Sequence, residues 1–102
     1  MPESLSPAET NPGAPDEQVR LVCVMNEQGL HARPAAKLAQ AAQRFEASIT
    51  ISMGTQQVDA KSILDILTLA AGHGSNLELR ARGGDAGPAV EMLADMFKNR
   101  FQ

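Results

Sequence analysis

The sequence predicts an α+β domain in which a four-stranded antiparallel sheet carries three helices on one face, in the order strand, helix, strand, strand, helix, strand, helix. Three observations lead there. Ala47, Ile49, Ile51 and Met53 alternate with Ser48, Thr50 and Ser52, and Leu77, Leu79 and Ala81 alternate with Glu78, Arg80 and Arg82. Strands that are apolar on one side and polar on the other suit a sheet covered on one face only. Between and after them, apolar residues recur with the 3.6-residue period of a helix. The 102-residue chain has three Phe and no Trp or Tyr, so its core must come from Leu, Ile, Val, Ala and Met.

Taken in order, residues 1–17 hold four of the six prolines, four acidic residues and no Lys or Arg. Such a segment buries too little apolar surface to offset its ordering entropy and reads as a disordered acidic tail. The folded domain is expected over 18–102. Val19, Leu21 and Cys23 alternate as a strand, and Cys23 reads as a small buried hydrophobe. From Ala32 to Phe45, Ala35, Leu38, Ala42 and Phe45 fall on one helical face, with Lys37, Gln40 and Arg44 on another. The strand at 47–53 turns at Gly54-Thr55 into a short strand at 56–60. Ser62 starts a second helix carrying Ile63, Leu64, Ile66, Leu67 and Leu69, and Gly72 is its expected stop. After the strand around 77–81, Gly83-Gly84 breaks the chain. Asp85 is placed to cap a last helix with an apolar face of Ala89, Val90, Leu93 and Phe97, and Pro88 is tolerated in its first turn.

Composition excludes several functions. Beyond the tail the net charge is +1, and aromatics are scarce, which disfavours nucleic acid as a partner. A single cysteine rules out an internal disulfide. The longest apolar run, Leu21 to Met25, is too short to span a bilayer, and no secretory segment opens the chain, so membrane insertion is not expected and the cytoplasm is. Cys23, His31 and His73 lack metal-ligand spacing, and neither metal nor cofactor is expected.

His73, between two glycines, is expected to sit in water. His31 stands at the start of the helix that opens at Ala32, where unpaired backbone N–H groups and the positive helix end favour an anion. Arg33 adds a permanent cation. Both stabilise the charge that a phosphoryl group would bring, and the imidazole is the candidate nucleophile. A histidine before a helix also serves as a plain structural cap, so the residues alone reach only a candidate anion or phosphoryl site. Ser62 has the same duality. It caps its helix, with Asp65 at capping-box spacing, or it presents a hydroxyl for phosphorylation beside an apolar surface.

Gly29-Leu30-His31-Ala32-Arg33-Pro34-Ala35-Ala36 resembles the active-site signature of the HPr family, the histidine-containing phosphocarriers of the bacterial phosphotransferase system. Ala60-Lys61-Ser62-Ile63-Leu64 is similar to that family's regulatory-serine segment. The resemblance spans 18–102 and implies the family's βαββαβα open-faced sandwich. It implies that His31, through Nδ1, takes a phosphoryl group from phosphorylated enzyme I and gives it to an enzyme IIA component. Arg33 and the backbone amides of Ala32 and Arg33 would hold the phosphate. Ser62 would be the target of an HPr kinase/phosphorylase, and Ala36, Gln40, Ile63, Leu64 and Leu67 would meet partners. The protein would be a monomeric relay rather than an independent enzyme. Gln28, Gln40 and Gln43 depart from many relatives, which carry Asn before the glycine and basic residues on the first helix. The alternative is a non-catalytic regulatory module that binds partners through the Ser62 helix.

Overall fold

A computed structural model describes residues 16–102. Seven elements follow in the expected order: β1 (Glu17–Cys23), α1 (Ala32–Ala42), β2 (Ser48–Met53), β3 (Gln56–Asp59), α2 (Ile63–Thr68), β4 (Asn76–Arg82) and α3 (Ala86–Lys98). All pairings are antiparallel, and the strands lie in the order β1-β4-β2-β3. Ile49 and Ile51 of β2 and Leu77, Leu79 and Ala81 of β4 point into the core, where Leu38, Ile66, Leu93 and Phe97 from the three helices meet them. Burying each Leu or Ile contributes about 1.5–3 kcal/mol. Ser48, Thr50, Glu78, Arg80 and Arg82 occupy the other, open face, as their alternation requires. Among the described residues, no helix is long and apolar enough to cross a membrane.

Three expectations about where elements begin, end and face need correction. Val19, Leu21 and Cys23 lie on the open side of β1, with Leu21 78% exposed and Cys23 only half-buried. The cause is register. Val22 pairs with Leu77 and Arg20 with Leu79, so Val22 faces inward and the alternate set faces out. Glu17, placed in the tail by its composition, is the first residue of β1. Its carboxylate accepts from the Arg80 guanidinium at 3.0 Å and is buried there. That bond, ahead of a second from Arg80 to Glu78, raises the Arg80 pKa above its ordinary value. Residues 1–15 of the expected tail lie outside the described residues. Finally, α2 stops at Thr68 rather than at Gly72, because Ala70 takes a left-handed conformation with φ +51°.

The loops that position the site are tightly tied. Gly29 has φ +72°, and a Cβ there would lie 2.4 Å from the Ala71 carbonyl oxygen, so only glycine allows this approach. Leu30 N–H then donates to that same oxygen at 2.9 Å. The segment before α1 is thereby pinned to the loop that follows α2. At the opposite end, Gln43 donates to the Lys61 carbonyl at 2.8 Å and Lys61 donates to the Phe45 carbonyl at 2.7 Å. The start of α2 therefore lies by the end of α1.

Candidate functional site

His31 is the N-cap of α1, with an extended backbone (φ −78°, ψ −171°), and its side chain makes no capping hydrogen bond. The first intrahelical bond runs from Ala35 N–H to the His31 carbonyl at 3.0 Å. Pro34 has no N–H to offer. The Ala32 and Arg33 N–H groups are left ahead of that bond, without a partner among the described residues. They point out of the helix start, where the backbone dipoles carry partial positive charge. His31, Ala32 and Arg33 are all exposed.

An open hollow of about 270 Å³ is lined by Asn26, His31, Arg33, Pro34, Lys37, Arg100, Phe101 and Gln102. Three of these side chains are permanent cations, and none is acidic. The chemistry fits a small, highly charged anion held beside an imidazole. Arg33 and Lys37 share a face because they are four residues apart on one helix. Sequence reading placed Lys37 only on the polar side of α1, and gave no role to Asn26, Arg100 or Phe101. The spacing from Arg33 to Lys37 was a usable signal for the first. The return of residues 100–102 over the start of α1 depends on tertiary packing and has no local signature.

Ser62 lies elsewhere. It caps α2, its Oγ accepting from Asp65 N–H at 3.2 Å. The capping box is only half formed. Ser62 N–H donates to the Asp59 carbonyl, and the Asp65 carboxylate accepts from Asp59 N–H at 3.3 Å instead of returning to the cap. Ile63 and Leu64 beside it are 37% and 75% exposed, while Leu67 packs against the core and Ile66 is fully buried. On α1, Gln40 is exposed and Ala36 half-buried. Since α2 starts where α1 ends, His31 and Ser62 are separated by the length of an 11-residue helix, about 16 Å. The fold does not bring them into one pocket. His73 is exposed in its loop.

Comparison with known proteins places these residues in context. Residues 19–99 match the family model described as the PTS HPr component phosphorylation site. The chain is similar to a phosphocarrier protein HPr of Treponema pallidum, at 44% identity over 84 residues, 82% of this chain and 96% of the relative. Among solved structures, HPr from Thermoanaerobacter tengcongensis superposes with a TM-score of 0.80 at 34% identity, covering 82% of this chain and 94% of that one. HPr from Bacillus anthracis does so with a TM-score of 0.76 at 42% identity, covering 79% and 96%.

Proposed function

This chain belongs to the HPr family, the phosphocarriers of the phosphotransferase system, and on that premise we propose that His31 accepts a phosphoryl group from phosphorylated enzyme I and passes it to an enzyme IIA component. The observation that carries the assignment to His31 is its ring. It stands at a helix start with no side-chain capping hydrogen bond, beside a hollow whose lining holds three cationic side chains and no acidic one. An imidazole used as a cap would accept from a backbone N–H of the first turn; this one makes no such bond.

The chemistry follows from the placement. The Nδ1 lone pair attacks phosphorus, a P–N bond forms, and the bond to the donor breaks with its electron pair leaving on the donor. The transferred group carries negative charge to the point where the Ala32 and Arg33 N–H groups and the Arg33 guanidinium lie. Positioning and charge stabilisation are most of what phosphoryl transfer needs. Handing the group to an acceptor repeats the step in reverse, which suits a carrier. Ile63 and Leu64, exposed on α2, with Ala36 and Gln40 on α1, form the docking surface for both partners. Ser62, phosphorylated by an ATP-dependent kinase/phosphorylase, would put charge on that surface and weaken docking.

The test is intact-mass spectrometry after incubation with enzyme I and phosphoenolpyruvate. One added phosphate, removed by acid, is expected for the wild type and none for His31→Ala, with the fold retained. A His31→Ala protein that still relays phosphate to an acceptor ends this reading.

A further inference from the structure

We propose that Lys37 is a second phosphate-holding cation of the His31 pocket, fixed in place by a strained turn at Arg100 and Phe101. The inference deepens the relay reading above and rests on it. It starts from an anomaly: Arg100 and Phe101 both adopt the left-handed region, with φ +57° and +61°. That region is unfavourable for residues with a Cβ, and consecutive residues there persist only where surrounding contacts enforce them. Those contacts are present. Phe101 is 6% exposed and packs edge-to-face on Phe97, with ring centroids 4.9 Å apart. Its N–H donates to the Met96 carbonyl at 2.8 Å. The Asn26 side-chain amide donates to the Arg100 carbonyl at 3.1 Å.

The turn presents the Phe101 carbonyl to Lys37, whose Nζ donates to it at 2.8 Å. This uses one of three ammonium N–H groups. Helical side chains lean toward the N-terminal end of their helix, which carries the Lys37 ammonium from its own turn toward His31 and Arg33. All three line the same hollow. A free lysine would lose rotamer freedom on meeting an anion. Lys37 has lost it already, so its remaining N–H groups meet a phosphate without that cost. The strain in the turn is thus coupled to a preorganised site.

The probe is inorganic phosphate, titrated into the whole chain while the His31 ring signals are followed by NMR. Lys37→Met, which keeps the aliphatic stem, is expected to weaken phosphate by about tenfold, the scale of one charge-assisted contact. Lys37→Arg restores affinity to within about twofold, because it keeps the charge and a donor for the carbonyl. Asn26→Ala loosens the turn, retains every cation and falls between them, and it keeps the proposal testable should Lys37→Met fail to fold. In the enzyme I assay the Lys37→Met phosphohistidine should also hydrolyse faster. A folded Lys37→Met with wild-type phosphate affinity overturns the proposal, as does a wild type whose His31 ignores phosphate. A wild type that binds phosphate but takes no phosphoryl group from enzyme I would instead sink the relay reading alone.

Discussion

The starts of α1 and α2 are built from the same parts and left in opposite states. Each opens with a polar N-cap on an extended backbone, His31 in one and Ser62 in the other. Ser62 turns its Oγ onto Asp65 N–H, and Asp65 adds a negative charge to the first turn. The positive end of α2 is therefore already answered from within the chain. At α1 no described residue answers it. The ring makes no capping bond, no acid sits in the first turn, and three of the side chains lining the hollow are cationic while none is acidic. A helix start left with neither a capping side chain nor an acid beside it is open to an anion, and one that its own side chains answer is an ordinary structural end.

The strongest way to break this contrast is Gly29→Ala. The new Cβ would meet the Ala71 carbonyl oxygen at 2.4 Å in a left-handed backbone, and the Leu30 bond to that oxygen would go with it. Backbone strain plus a lost hydrogen bond amount to roughly 2–4 kcal/mol, which lowers the melting midpoint by about 10–25 °C. Phosphate acceptance at His31 should fall together with it. The control is Gly54→Ala, where φ is also positive (+61°) but nothing lies within 4 Å of the new Cβ. Its cost should stay near 1 kcal/mol. Equal losses in the two variants would show that the approach to Ala71 does not matter.

A gentler change acts on the other helix. Ser62→Asp keeps a good cap, so α2 should survive, while a charge arrives beside the exposed Ile63 and Leu64. Affinity for enzyme I is expected to drop about five- to tenfold in a binding titration, equivalent to about 1 kcal/mol. Unchanged affinity would remove α2 from the docking surface.

Much of this was legible in advance. Element order follows from the alternation in β2 and β4 and from the spacing of Leu38, Leu93 and Phe97, because one-sided burial writes a period into the chain. The helix starts at His31 and Ser62 are readable because N-terminal capping is local chemistry. What stayed hidden depends on distant partners. Leu21-Val22-Cys23-Val24 is apolar on both phases, so only pairing with Leu77 and Leu79 decides that Val22 turns inward. Glu17 looks like tail until Arg80 and Arg82 lie across from it. Lys37 meets its carbonyl 64 residues away.

Asp85 is the third helix start and carries the same lesson into pH. Its sequence position marks it as the cap of α3, yet its carboxylate makes no capping bond there. One oxygen accepts from Glu46 N–H and the other from Ala47 N–H, each at 2.9 Å, and so fixes the turn between α1 and β2. Those bonds, the one from Glu46 first, with nearby Lys61, lower its pKa below the ordinary 3.8. A carboxylate depressed on folding adds stability that is complete above its unfolded value and lost as pH falls through the folded one. Wild type should therefore exceed Asp85→Asn in stability at neutral pH, with the gap narrowing below about pH 4. A gap that stays constant into acid, measured by denaturant unfolding across that range, would mean that shape rather than charge holds the turn.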